Sequence, residues 1–433
     1  MSPAALFVTL ISRRRAAASA LAVGLVCLLA ITVSGCAQST DETPLTLSPS
    51  AAAHPEPPAP SASLTTPPDS GKPGGVLSVE DPPRGPINAI NNRDAVVKRI
   101  IYRSTSGIDN SATQVSGILV VPKGTPPAGG WPLVAFGHGN SGIESMCGPS
   151  EYANLLGNDT ILEAFRLNGY AVVMSDYQGL GHGKSNHPFL NAKTYGNNQI
   201  DAVRAAQAIA PDVSKHWVSF GVSLGGMAAW AAGDRQPTYG GDTYLDATIA
   251  LVPVGDMRGL ADRAAQGTLT RDQYPLLIYA LDSLAKTFPG RFNLDDYRSE
   301  RVKSMWNTLI QCLPDANGDL ATTQRALNSL TPQDLMPKNA AATTALRAQL
   351  ADYALPAGRT NAPVLVMYGT DDPLIPPQWT ERVIDKSCAA SENLTIVKRV
   401  GDTHAGLDSA QAIPWMQGVL NGDKPQSNCD DRP

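Results

Sequence analysis

The chain has 433 residues, of which 42% are hydrophobic and 17% charged, with 38 Gly and 35 Pro. That much apolar material can build a sizeable core and excludes a wholly disordered chain, while low charge with many Gly and Pro points to an exported, loop-rich protein. The 34 Lys and Arg set against 39 Asp and Glu give a net charge of −5, and loss of Arg13, Arg14 and Arg15 with an export signal takes it to −8. An acidic chain without a basic run excludes nucleic acid as the partner.

In chain order, Arg13–Arg15 precede Ala16–Val33, an uncharged and mostly apolar run that reads as the h-region of an export signal. Val33-Ser34-Gly35-Cys36 ends that run and resembles a bacterial lipobox, so residues 1–35 are expected to be removed and Cys36 lipidated, anchoring the chain to a membrane. Ala37 to Gly75 holds nine prolines and no aromatic residue, and residues 36–75 read as a disordered tether. Apart from Cys27 and Cys36, four cysteines remain, Cys147, Cys312, Cys388 and Cys429. An even four in an exported domain implies two disulfides, with three pairings open.

The body alternates strand and helix. Val96–Arg103 and Gln114–Val121 are β-rich runs expected to pair as a hairpin, and Leu133–Phe136 is a short buried strand ending in Gly137-His138-Gly139. Then come a helix at Leu155–Asn168, a strand at Tyr170–Ser175, a helix at Gln199–Ala210, a strand at Trp217–Val222 and a small-residue helix opening at Met227–Ala232. Further strands are expected at Ala247–Val252, Val364–Tyr368 and Leu394–Val400, with a last helix near Ser409–Leu420. This predicts an α/β fold, a mostly parallel sheet with helices on both faces. The alternation stops between Asp256 and about Thr360, where helical pieces such as Tyr274–Thr287 take over. The organisation expected is a core over 76–255 and 361–433 with a helical cap or lid inserted at 256–360.

Gly221-Val222-Ser223-Leu224-Gly225 is a G-x-S-x-G sequence placed between an apolar strand and a helix of small residues. That context calls for a sharp turn raising the Ser223 hydroxyl above the sheet, with glycines where a side chain would clash. A hydroxyl needs a base to become a nucleophile. Six histidines are present, and in the chain order Ser, acid, His only His404 follows Ser223. Between them lies Gly369-Thr370-Asp371-Asp372-Pro373-Leu374-Ile375-Pro376, directly after a strand, with Asp372 the better candidate acid and Asp371 the alternative. The carboxylate would hold the imidazole in its working tautomer. The oxyanion needs two N–H donors, one from Leu224 and one from Gly139 or Asn140 in the turn after the Leu133–Phe136 strand. His138 reads as structural.

Several stretches together resemble the secretory lipase family of α/β-hydrolases and, more distantly, fungal lipases with large helical caps. They are Ala135-Phe136-Gly137-His138-Gly139-Asn140 with Cys147-Gly148-Pro149-Ser150, the run from Gly169 through Asp176-Tyr177-Gln178-Gly179-Leu180-Gly181, the Ser223 turn, and Cys388 and Cys429 around His404. The chain departs from many members in carrying Phe220-Gly221-Val222 ahead of the serine. The resemblance implies an α/β-hydrolase fold with the triad Ser223, Asp372 and His404. It also implies disulfides Cys147–Cys312 and Cys388–Cys429.

The function expected is therefore hydrolysis of acyl or lipid esters through an acyl-enzyme, in the cell envelope or outside it, with no cofactor and no metal. A peptidase or amidase on the same fold is one rival, and a lapsed hydrolase that binds lipid is another. Two metal readings fail on spacing. Asp315-Ala316-Asn317-Gly318-Asp319 begins like a calcium loop but continues with Leu320 where Gly is needed and Ala326 where Glu is needed. His182, His187 and Asp176 match no zinc pattern.

Overall fold

The computed structural model describes residues 64–86, 94–312 and 320–432. Nine strands form one sheet: β1 (Val76–Glu80), β2 (Ala95–Thr105), β3 (Ala112–Pro122), β4 (Trp131–Gly137), β5 (Ala171–Ser175), β6 (Val213–Val222), β7 (Tyr244–Leu251), β8 (Val364–Gly369) and β9 (Leu394–Arg399). Their order is β1-β2-β3-β5-β4-β6-β7-β8-β9. The first three pair antiparallel, β3 pairs antiparallel with β5, and every pair from β5–β4 to β8–β9 is parallel.

Side chains alternate across the sheet as period-two strands require. Val134, Phe136, Val172, Met174, Val218 and Phe220 face one layer with Ile161 and Phe165 of α1 (Asp159–Leu167) and with Ala412 and Met416 of α10 (Ala412–Leu420). Leu133, Ala135, Ala171, Val173 and Trp217 face the other, against Ile200, Val203 and Ala206 of α2 (Ala192–Ile209). α3 (Leu224–Tyr239) and α9 (Pro377–Ala389) also pack on that side, through residues such as Ala231, Val383 and Ile384. The central strands are thus buried on both faces, the arrangement that near-continuous apolar runs demand.

Between β7 and β8 lie only helices among the described residues: α4 (Gly259–Gln266), α5 (Tyr274–Thr287), α6 (Glu300–Leu309), α7 (Leu320–Ser329) and α8 (Ala340–Tyr353), with short 3₁₀ turns. This segment shares one apolar core with α3 through Leu277, Leu281, Leu309 and Leu346. It is also tied at its edges. Burial alone would raise the Asp256 pKa, but the Arg258 guanidinium bonded to it and Arg382 nearby on α9 bring the carboxyl below its ordinary range. Cys147 and Cys312 form one disulfide with Cα atoms 5.2 Å apart, and Cys388 and Cys429 a second at 5.6 Å.

Some boundaries differ from expectation for visible reasons. The helix expected from Leu155 starts at Asp159, because Leu155 and Leu156 sit at φ 49° and 51° and form a separate 3₁₀ turn. α2 starts at Ala192, well before Gln199, with the Asn191 side chain capping Thr194 N at 2.8 Å. Its buried polar residues obscure the apolar period: Gln199 Nε2 donates to Ala135 O at 2.7 Å and Asn198 Oδ1 accepts from Gln178 N at 2.8 Å. β1 was not expected at all. The stretch read as tether up to Gly75 is already against the body from Leu64, with Thr65 N bonded to Ile209 O at 2.9 Å and Arg103 Nη2 2.6 Å from Asp69. The export signal, Cys36, the tether before Leu64 and the calcium-like Asp315–Asp319 stretch lie outside the described residues.

Candidate active site

β6 ends at Val222, Ser223 follows, and α3 begins at Leu224. Ser223 has φ 60° and ψ −120°, a conformation that L-residues avoid. Neighbouring backbone holds it there: Ser223 N donates to Leu251 O at 2.9 Å, and Ser223 O accepts from Val254 N at 3.1 Å. The flanking glycines have a steric cause. A Cβ on Gly221 would lie 1.9 Å from Gly225 O, and one on Gly225 would lie 1.9 Å from Gly137 O. Backbones of β4, β6 and α3 meet here with no room for a methyl group.

His404 Nε2 lies 2.9 Å from Ser223 Oγ, and His404 Nδ1 lies 2.7 Å from Asp372 Oδ2. The other oxygen of Asp372 accepts from Leu374 N at 2.9 Å and Ile375 N at 2.8 Å. Asp372 is 7% exposed. Asp371 is exposed and accepts from Thr370 Oγ1, so of the two adjacent acids only Asp372 faces the imidazole. These contacts put a base within reach of the hydroxyl and a carboxylate behind the base.

Leu224 N is the first amide of α3, where no intrahelical acceptor exists. Gly139 N and Asn140 N donate to no backbone or side chain among the described residues. Asn140 lines the same cleft as Ser223 and His404, while Gly139 stands behind it near Val222 O. The Asn140 side chain accepts from Gly142 N at 3.1 Å, so its turn is internally braced. Behind that turn the Asp176-Tyr177-Gln178 run serves as scaffold. Asp176 accepts from Ser150 N at 2.8 Å and from both the Ser150 and Ser116 hydroxyls. Tyr177 donates to His138 O at 3.1 Å and stacks on the His138 ring at 4.4 Å. Burial pushes the His138 pKa down, which keeps the ring neutral.

The cleft above Ser223 holds about 660 Å³. Apolar residues Pro275, Leu276, Leu327 and Leu374 line it, with Arg271, Asp272, Gln324, Asn328 and Thr403 as its polar groups. Sequence reasoning missed all of these, since most belong to the helical segment and come near Ser223 only through the fold. One partial signal was present: Thr270-Arg271-Asp272-Gln273 has the T-x-x-Q spacing of a helix start. Among the described residues no group of His, Cys, Asp and Glu is arranged to hold a metal ion, and no helix is long and apolar enough to cross a membrane.

The sheet order, the serine turn at the end of β6 and the acid after β8 define an α/β-hydrolase fold. The secretory lipase family profile matches residues 154–428. The chain belongs to that family and is a carboxylic ester hydrolase, and its family and two disulfides mark it as an exported protein. The fold is similar to that of Candida antarctica lipase A in its closed state, with TM-score 0.66, 16% identity, and 85% of this chain and 87% of that one covered. It is similar also to the rice cell wall degrading esterase LipA from Xanthomonas oryzae, with TM-score 0.59, 18% identity, and 80% and 95% covered. Among curated proteins none matches the sequence.

Proposed function

We propose that the protein hydrolyses acyl or lipid esters through an acyl-enzyme formed on Ser223. The observation that carries this reading is the unbroken chain of contacts from Asp372 through His404 to Ser223 Oγ at the floor of a cleft. His404 Nε2 takes the proton as Ser223 Oγ bonds to the ester carbonyl carbon, and the imidazolium then gives it to the leaving alcohol. Asp372 holds Nδ1–H and stabilises the imidazolium. The amides of Leu224 and Asn140 receive the oxyanion, with Gly139 leaving the backbone room to approach. Water, deprotonated by the same histidine, releases the acid.

The helices over 256–360 act as the cap, and their apolar residues at the cleft take the acyl chain, each buried CH₂ contributing about 0.8 kcal/mol. Upstream, export ends in lipidation of Cys36 and attachment to the membrane.

The test is turnover of p-nitrophenyl esters from acetate to palmitate by the wild type and Ser223→Ala in parallel. Wild-type turnover is expected across the series, and the variant should lose at least about a thousandfold in kcat while keeping its circular-dichroism spectrum. Equal turnover by the two proteins would rule the reading out.

A further inference from the structure

We propose that Thr270 and Gln273, in the turn leading into α5, are positioning residues for Asp372, acting through the two peptide groups that hold its carboxylate. The inference rests on the triad reading above.

Asp372 Oδ1 is held by two N–H groups, Leu374 N at 2.9 Å and Ile375 N at 2.8 Å. The first belongs to the peptide whose carbonyl is Pro373 O, the second to the peptide whose carbonyl is Leu374 O. Those two oxygens are the ones the helical segment grips. Thr270 Oγ1 donates to Pro373 O at 3.3 Å, and Gln273 Nε2 donates to Leu374 O at 3.1 Å. Each peptide plane therefore carries a hydrogen bond in at its oxygen and one out at its nitrogen. A peptide group is planar and conjugated, so a donor on its oxygen strengthens its N–H as a donor.

Gln273 is wholly buried and has no freedom to turn. Its Oε1 accepts from Thr270 N at 3.2 Å and from Arg263 Nη1 at 3.1 Å, which leaves its NH₂ end aimed at Leu374 O. A residue needed only to tie the helical segment to the sheet could grip any carbonyl. Here both side chains reach across about a hundred positions of sequence, 103 and 101, to the two peptides that face the acid. With them in place the carboxylate is anchored at Oδ1, and Oδ2 points at His404 Nδ1.

Loss of the two side-chain donors weakens both amide donors. The carboxylate then swings more freely, so the imidazole is aimed less well at Ser223 and kcat falls. More of its negative charge also reaches His404, which favours the imidazolium. The base must be neutral to act, so the acid limb of the pH profile moves to higher pH.

The experiment measures kcat, KM, the pH dependence of kcat and the melting temperature for Thr270→Val, Gln273→Leu and the double variant on p-nitrophenyl butyrate. Thr270→Ser serves as the conservative control and Asp372→Asn as a separate arm. Each single variant should lose about 3- to 10-fold in kcat and the double about 10- to 100-fold, at unchanged KM, with the acid limb displaced upward and Thr270→Ser close to wild type. Unchanged kcat in the double variant overturns the proposal. So does a loss that only tracks the folded fraction while the acid limb stays in place. If Gln273→Leu does not fold, Thr270→Val, at a half-buried position, carries the same test. Wild-type kcat in Asp372→Asn would instead overturn the triad reading beneath it.

Discussion

His187 is enclosed beneath α5, with Nδ1 2.7 Å from Gln178 O and Nε2 3.1 Å from Tyr195 Oη. Burial pushes its pKa down to about 4, from an ordinary value of 6.5. The unfolded chain therefore binds a proton as pH falls below about 6.5, while the fold resists it until about 4. Stability from this residue is complete above that window and is lost as pH falls through it. From pH 7 to pH 5 the wild type should lose about 2 kcal/mol more than His187→Gln in urea unfolding, and equal losses would exclude the assignment. At this scale legibility depends on how local the cause is. Ser223 stands out because its flanking glycines sit in a short G-x-S-x-G run between an apolar strand and a helix of small residues, and His404 because no other histidine follows the serine. Asp371 and Asp372 differ only in which way a turn presents them, and that is settled by Leu374 N and Ile375 N closing on one carboxylate. Thr270 and Gln273 could not be picked out, because their partners lie about a hundred residues away.

Elements were legible wherever apolar periodicity was clean. The hairpin of β2 and β3 and the strands β4 to β9 follow from β-branched runs punctuated by Gly and Pro. α2 was cut short because Asn197, Asn198 and Gln199 are buried for their hydrogen bonds to neighbouring backbone and side chains, which an apolar pattern does not register. The contact between β4 and the start of α3 is the tightest test of how the elements fit. Gly225→Ala would put a methyl group 1.9 Å from the Gly137 carbonyl oxygen, and neither backbone has a flexible end that can yield. The variant should be destabilised by about 3 kcal/mol or more in urea unfolding, and its Ser223-dependent turnover should fall with it. A variant with wild-type stability would show that the helix stands further from the strand than described.

For the whole molecule, the alternation of strand and helix announced the sheet, and its interruption announced the helices between β7 and β8. Which face those helices cover was beyond sequence reasoning, as were the ties made by Thr270 and Gln273, whereas the Cys147–Cys312 link was implied by the family resemblance. Cys147–Cys312 fastens them beside the Asn140 turn, and Thr270 and Gln273 fasten them to the Asp372 loop. They are thus attached on both sides of Ser223.

The place where the chain joins its body has a further consequence. Thr65 is bonded to Ile209 O, at the end of α2 just before β6 begins, whereas Ser223 sits where β6 ends. Entry point and cleft therefore lie at opposite ends of the central strand, about 30 Å apart. If Cys36 carries a lipid as proposed, the tether meets the body at the end of β6 away from Ser223, an orientation that favours a cleft turned from the bilayer. The lipidated protein on vesicles should hydrolyse a fluorogenic ester supplied in added micelles faster than the same ester dissolved in its own bilayer, and the reverse preference would contradict this orientation. On the proposed lipidation, such an enzyme would reach material arriving from outside more readily than the membrane that holds it.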